Sequence, residues 1–433
     1  MFRPAPRITA GLVAGAVAAG VATAAATAAT AAPAATDATG RPATASAEAA
    51  AGKGHGPARR GSLVSARHLG GMTAAEVRPW LASADFDTAS VRYGVDAYRL
   101  VYRTIDARGR ATTASGLLVL PRTGERRLST VSYTHGTTSY KPDAPSVAGD
   151  VWSRGPAVTF GAAGFAAVAP DYLGLGVGPG VHPWKHVPSE SSAALDMLRA
   201  ARAFVPSRGH VLERDVLVTG FSQGASSALG LARALQDGAD RRFRVRAVAP
   251  ISGAYDFRGS ELPALLSGEV APKMAVAYVS YLFTSWNRVF GGVYREPSEL
   301  FQDPYAGRVE KFFDGTTPGP DMLKGLPGTL DELLTPRGLE LLRSPSGAFA
   351  EGLRVDGEVC TAWTPRVPVR LYRMDGDEQA VTANTAACAA AFRARGVRVP
   401  VVDVDDRLHE GSRHLGSNVA ATGMVARWFA GLR

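Results

Sequence analysis

Between Asp215 and Leu235 the chain reads Asp-Val-Leu-Val-Thr-Gly-Phe-Ser-Gln-Gly-Ala-Ser-Ser-Ala-Leu-Gly-Leu-Ala-Arg-Ala-Leu. An apolar, β-forming stretch at Val216 to Val218 passes through Gly220-x-Ser222-x-Gly224 into a segment, Ala225 to Leu235, that lacks proline and β-branched residues. That order predicts a strand, a sharp turn and a helix. A strand that reverses into a helix crowds its own backbone, so the positions two before and two after the serine need side chains no larger than hydrogen. The bare five-residue pattern is weak in a chain with 48 glycines. Its flanks make it strong, and the segment reads as a nucleophile elbow that presents Ser222.

The surrounding pattern fits such a turn. Tyr98 to Asp106 and Thr112 to Leu120 read as a β-hairpin, Ser129 to Thr134 and Phe165 to Ala169 as further strands, and Ser189 to Phe204 as a helix. The elbow and a strand at Val245 to Pro250 follow. Strands alternating with helices predict an α/β fold, with a mostly parallel sheet and helices on both faces. From about 256 to 362 the alternation stops, and we expect an inserted, largely helical cap. Pro272 to Tyr294 within it is apolar almost all round, so it must be buried, either in plain core packing or as a lid over acyl chains. Shorter helical pieces are expected at Gly307 to Phe313 and Leu330 to Leu342. Strand Val367 to Tyr372, helix Ala383 to Arg395, strand Val397 to Val404 and a helix from about Ser417 to Leu432 then resume the pattern. Pro400 suggests that the last strand lies near a sheet edge.

A serine hydroxyl is a poor nucleophile until a histidine takes its proton and an acid orients that histidine, and in folds with this turn they follow in the order Ser, Asp or Glu, His. After the strand ending at Tyr372 the loop Arg373-Met-Asp375-Gly-Asp377-Glu378-Gln carries three carboxylates. Asp377 is the expected acid, with Asp375 and Glu378 as alternatives. The loop after Val404 carries His409, with Gly411 supplying freedom, and His414 follows near the final helix. His409 is the expected base and His414 the alternative. An oxyanion needs backbone N–H donors. The residue after the nucleophile, Gln223, should supply one, and the loop Ser132-Tyr-Thr-His135-Gly136-Thr137-Thr138 another, from Thr137 or else Gly136. His135 is read as a loop anchor.

Two motifs carry nothing further. Gly174-Leu-Gly176-Val-Gly178-Pro-Gly180 offers no Gly-x-Gly-x-x-Gly register, and Pro179 and Pro183 keep a helix from starting on it. Pro183 also interrupts the helix that would align His182 with His186 as zinc ligands. No metal and no cofactor are expected.

The net charge of +9 is mild, since the first 61 residues carry four of those charges and no dense basic run follows, so no nucleic-acid partner is expected. Residues 1–32 have the parts of a secretory signal: basic Met1 to Arg7, apolar Ile8 to Val21, and the small residues Ala29-Thr-Ala31. Residues 33–61, rich in Ala, Thr, Pro and Gly, read as a flexible linker ahead of a domain at 62–433. The chain is therefore expected to be secreted. In an oxidising compartment its two cysteines, Cys360 and Cys388, are candidates for a disulfide.

Taken together, Ser132 to Ser139, Ala169 to Gly178 (Ala-Pro-Asp-Tyr-Leu-Gly-Leu-Gly-Val-Gly), Gly220 to Gly224 and Leu371 to Asn384 resemble a secreted α/β-hydrolase of the secretory lipase family, over about Arg92 to Arg433. The resemblance implies a capped serine hydrolase cleaving carboxylic esters, with Ser222, Asp377 and His409 matching the triad. It departs at Arg373-Met374, where many hydrolases have His-Gly. The expected partner is a small-molecule or lipid ester, with transient lipid-interface contact through the cap and no stable protein partner. Peptide or amide cleavage by the same machinery and a non-catalytic binding role are the rival readings. The first is disfavoured because only about 35 residues separate the linker from the first strand, too few for a propeller domain.

Overall fold

The computed structural model describes residues 59–433. The expected signal sequence and all but the end of the expected linker lie outside the described residues. Nine strands form one sheet: β1 (Leu63–Met72), β2 (Val95–Ile105), β3 (Ala111–Pro121), β4 (Arg127–Thr134), β5 (Ala166–Pro170), β6 (Val211–Phe221), β7 (Arg244–Ile251), β8 (Leu371–Arg373) and β9 (Val401–Asp403). Their spatial order is β1-β2-β3-β5-β4-β6-β7-β8-β9. The first three strands pair antiparallel, β3 also joins β5 antiparallel, and every pairing from β5 to β9 is parallel. The predicted hairpin is β2 and β3, paired along their whole length from Val95↔Pro121 to Ile105↔Ala111. Pro400 immediately precedes the edge strand β9, consistent with its missing N–H donor.

Helices α1 (Ala74–Ala82), α2 (Val151–Ala162), α3 (Val187–Phe204) and α4 (Gln223–Gln236) precede the cap. Between β7 and β8 lie α5 (Leu262–Ser267), α6 (Pro272–Phe290), α7 (Val309–Phe312), α8 (Gly319–Gly325), α9 (Leu330–Leu333), α10 (Pro336–Arg343) and α11 (Gly347–Thr361). Then come α12 (Ala383–Ala394) and α13 (Arg413–Ala430). Alternation along the strands divides the core. Val216 and Val218 point into the layer formed with α3, α4 and α12, whereas Leu217 points into the opposite layer with α1, α2 and α13. All three are nearly inaccessible to solvent, as a central parallel strand covered on both faces requires, and each contributes roughly 1.5–3 kcal/mol by burial. Among the described residues no helix is long and apolar enough to cross a membrane.

Several elements differ from expectation. β1 and α1 were not anticipated, although Thr73 and Glu76 form a reciprocal capping box at the start of α1. The Gly-rich stretch before β5 belongs to α2, which is started by Asp150 accepting from the Ser153 N–H and which buries Gly155 and Gly161 against Phe86 and Val119. The expected helix from Leu330 is split at Pro336 into α9 and α10. The final helix begins at Arg413 rather than near Ser417, because Ser412 caps it by accepting from the Leu415 N–H.

The cap has its own core. On α6, Val276, Val279, Leu282, Phe283 and Trp286 pack with Phe349 and Leu353 of α11, and Gly352 of α11 lies directly against the Trp286 indole. Cys360 at the end of α11 and Cys388 on α12 form a disulfide. A buried pair ties α11 to the sheet domain: Lys185 Nζ lies 2.8 Å from Asp356 Oδ1 and donates to the Ala254 carbonyl at 2.9 Å.

Candidate active site

The turn between β6 and α4 forces its glycines. A Cβ on Gly220 would overlap the Gly224 carbonyl and Thr134 Oγ1, and one on Gly224 would overlap the Thr134 carbonyl. Ser222 sits at φ 56°, ψ −120°, a left-handed conformation that costs a non-glycine residue of order 1–3 kcal/mol and projects Oγ off the end of the strand. Its own N–H is anchored to the Ile251 carbonyl at 2.9 Å.

His414, not His409, meets that hydroxyl. His414 Nε2 lies 2.9 Å from Ser222 Oγ, and its Nδ1 lies 2.9 and 3.0 Å from the two carboxylate oxygens of Asp377. With Nδ1–H donating to a carboxylate, Nε2 is left as the acceptor for the serine proton. All three residues are buried, and Phe221 packs against the imidazole at 4.7 Å between ring centroids. Asp377 Oδ1 also accepts from the N–H groups of Gln379 and Ala380, at 2.9 Å each, which fixes the carboxylate before the histidine is engaged.

The expectation for His409 is corrected by a tight turn. His409 and Ser412 exchange backbone hydrogen bonds at 3.0 and 3.1 Å, with Glu410 and Gly411 at positive φ between them. The turn sends the His409 ring away from Ser222, where it stacks on Trp152 at 5.1 Å and places Nδ1 3.2 Å from the exposed Asp85. His414 is carried inward instead by the first turn of α13. Glu378, next to Asp377, holds that turn: it accepts from Ser412 Oγ, from the Arg413 N–H at 3.1 Å and from the His414 N–H at 3.4 Å. The third carboxylate of the loop, Asp375, is exposed and makes no contact with either histidine.

Gln223 opens α4, so its N–H has no acceptor within the helix and is free at the Ser222 end. Its side chain is clamped beneath: Nε2 donates to Glu190 Oε1 at 2.7 Å and to His182 Nε2 at 2.8 Å, while His182 Nδ1 lies 3.0 Å from the Leu173 carbonyl. Burial pushes Glu190 up to about 7 and His182 down to about 3, so His182 is neutral. Glu190 was given no role from sequence and His182 was weighed only as a zinc ligand, since the contact that matters joins α3 to the start of α4. Thr137 borders the same serine. Its backbone N–H makes no backbone hydrogen bond among the described residues, and its Oγ1 accepts from the Trp184 indole at 3.1 Å. Gly136 lies one residue back, close against Phe221.

His135 acts as the anchor expected of it. Its ring lies 2.7 Å from the Gly136 carbonyl and packs on Tyr172, whose hydroxyl donates to the His135 carbonyl at 2.9 Å. Tyr172, at φ 67°, follows Asp171, a buried carboxylate that accepts from Ser115 Oγ at 2.6 Å and from the Ser146 N–H at 2.9 Å. The Asp171-Tyr172 pair is thus a buttress for the loop that bears Thr137. His182 and His186 bind protein groups, and no cluster able to hold a metal ion occurs among the described residues.

Ser222 and His414 open into a cavity of about 770 Å³. Its cap wall is apolar, with Met274, Ala277, Tyr278 and Tyr281 of α6 and Met322 and Leu323 of α8. The remaining lining mixes polar Thr138, Ser139, Asp143 and Asp150 with Tyr133, Trp152 and Phe221. Helix α6 therefore has one face in the cap core and another over the cavity. Tyr278 joins it to the acid loop by donating to Gln379 Oε1 at 2.6 Å.

No family model and no curated protein matches the chain. Among solved structures it is similar to the rice cell wall degrading esterase LipA from Xanthomonas oryzae, with 27% identity and a TM-score of 0.77 over 85% of this chain and 98% of that one. A Legionella pneumophila protein matches with 24% identity and a TM-score of 0.76, over 86% of this chain and 98% of its own. Candida antarctica lipase A matches with 14% identity and a TM-score of 0.60, over 81% and 78%. The last two likenesses are of fold alone. The chain has the α/β-hydrolase fold, a mostly parallel sheet with helices on both sides and a helical insertion between β7 and β8.

Proposed function

We propose that the protein is a serine hydrolase that cleaves carboxylic esters through an acyl-enzyme. The observation that carries this reading is the hydrogen-bonded line Ser222 Oγ, His414 Nε2, His414 Nδ1, Asp377, with each contact at 2.9–3.0 Å. Ser222 Oγ attacks the ester carbonyl carbon and passes its proton to His414 Nε2. The carbonyl oxygen becomes an oxyanion held by the N–H groups of Gln223 and Thr137. His414 then gives its proton to the departing alkoxide as the C–O bond breaks, which leaves the acyl group on Ser222. Water attacks this second ester, His414 takes the water's proton and returns it to Ser222 Oγ, and the carboxylic acid leaves. Asp377 keeps the imidazole in the required tautomer and stabilises the imidazolium that forms twice per cycle.

Similarity to an esterase supports ester substrates over amides. The disulfide between Cys360 and Cys388 and the signal-like residues 1–32 support export to an oxidising compartment. Ser222→Ala tests the mechanism: a folded variant should lose nearly all hydrolysis of p-nitrophenyl acetate and all labelling by a fluorophosphonate. Undiminished turnover would sink it. Mass analysis of the mature chain after expression in a secreting host tests export, with loss of the first 30 or so residues expected.

A further inference from the structure

Two spaces of very different size meet at Ser222. The first is the cavity of about 770 Å³, which His414 lines and Gln223 does not. The second is a recess of about 20 Å³, which Gln223 lines and His414 does not. Thr137, Tyr278 and Gln379 border both. The recess leaves room for the centre of roughly one water-sized group, whereas the cavity is in the range that encloses a drug-sized ligand.

The chemistry of an ester on Ser222 assigns the two spaces. The leaving oxygen must receive its proton from His414 Nε2, so the alcohol lies on the histidine side, in the large cavity. The carbonyl oxygen lies between Gln223 and Thr137. The remaining substituent on the carbonyl carbon, the acyl group, then faces the recess beside those two residues. We infer that this recess is the acyl subsite, and that the substrates are acetyl-sized esters of bulky alcohols. The inference rests on the ester-hydrolase reading and adds the side on which size is restricted.

The recess cannot lengthen easily. Its wall Trp184 is stacked on Tyr281 at 4.7 Å and on Tyr278 at 5.8 Å, and its indole N–H is bound to Thr137, so the ring has no free direction to swing. Its floor is polar and braced. Lys185 is held by Asp356 at 2.8 Å and by the Ala254 carbonyl at 2.9 Å, and Glu261 accepts from Asn384 Nδ2 at 2.5 Å. Phe257 closes the remaining side and is itself buried in the cap core. An added methylene must therefore displace fixed, close-packed groups rather than solvent.

Two ester series test the assignment on the purified protein. In p-nitrophenyl esters from acetate to octanoate, kcat/KM should fall by about 100-fold between acetate and hexanoate, in line with the 10- to 200-fold that a misfitting methylene is worth. In acetates of ethanol, phenol, 2-naphthol and menthol, kcat/KM should not fall as the alcohol grows. Phe257→Ala opens the recess and should raise the hexanoate-to-acetate ratio at least about 10-fold. Should that variant fold poorly, Ala254→Val narrows the recess and should lower kcat/KM for acetate about 10-fold while Ser222 still reacts with a small fluorophosphonate. Hexanoate or octanoate turned over as well as acetate by the unaltered protein would overturn the acyl assignment and leave the esterase reading standing. No hydrolysis of any ester in either series would overturn the esterase reading, and the acyl assignment with it.

Discussion

Replacing His414 and His409 separately by alanine should give opposite results. Nε2 of His414 is the hydrogen-bond partner of Ser222 Oγ, and no second base stands within hydrogen-bond reach of that hydroxyl among the described residues. Without it the serine must lose its proton to water, and the remaining catalysis comes from the oxyanion donors and substrate binding. Removing one member of such a set lowers kcat by about 10⁴- to 10⁶-fold, or about 5–8 kcal/mol of barrier. His409 contributes differently. Its stack on Trp152 is worth about 0.5–1.5 kcal/mol, and its contact with the exposed Asp85 adds little, because water competes for that carboxylate. His409→Ala should therefore keep kcat within about threefold while lowering Tm by roughly 2 °C. Steady-state hydrolysis of p-nitrophenyl acetate, fluorophosphonate labelling of Ser222 and calorimetry on both variants decide the matter. A loss beyond about 100-fold in a folded His409→Ala, or more than about 1% of normal activity left in a folded His414→Ala, would refute the reasoning.

Glu378→Ala should lower kcat about 10- to 100-fold with little change in KM, because the first turn of α13 loses the carboxylate that positions His414. Glu378→Gln, whose amide oxygen still accepts from the Arg413 N–H, should recover much of that loss in the same kinetics. Glu190 links stability to pH. Burial, opposed by hydrogen bonds from Ser227 and Gln223, raises its carboxyl from the usual 4.5 to about 7, so the folded protein holds a proton that the unfolded chain has released. Its contribution is complete below about pH 4.5 and is lost as pH rises through about 7, an effect of roughly 3 kcal/mol. Glu190→Gln should remove that slope when urea midpoints are compared at pH 5 and pH 8. Reduction of the bridge between Cys360 and Cys388, 28 residues apart, should cost about 3.5 kcal/mol in the same urea assay.

Local geometry was legible wherever the chain's own neighbours decide it. The elbow is such a case in part, since Gly220 answers to the Gly224 carbonyl of its own turn, while Gly224 answers to Thr134 and His135 at the end of the neighbouring strand β4. So is the hairpin of β2 and β3, which is set by alternation and a short turn. The Gly-rich stretch before β5 was not assigned to a helix, whereas in the fold Gly155 and Gly161 are where α2 lies close against Phe86 and Val119. Composition carries no record of which neighbour a small residue is small for. The Lys185–Asp356 pair and the Glu190–Gln223 clamp were invisible for the same reason: each joins elements far apart in the chain.

The histidine shows how a single long-range contact decides a catalytic residue. Both His409 and His414 follow β9 in the right order, and loop position favoured the first. What separates them is the start of α13, and Ser412 is a capping residue that could have marked it. The cap alone does not say which way the helix points. That is decided by the loop between β8 and α12, where two neighbouring carboxylates take different partners: Asp377 binds the imidazole of His414 and Glu378 binds the backbone at and before it. Ring and backbone of the same histidine are thus referred to one short loop, and Gln379 extends the reference to the cap through Tyr278. A shift of that loop would move the acid, the base and the cavity wall together, so the three are positioned as one unit rather than by three separate elements. In this arrangement the adjacent Asp377 and Glu378 are not interchangeable candidates for one role, and exchanging them should disrupt both tasks at once.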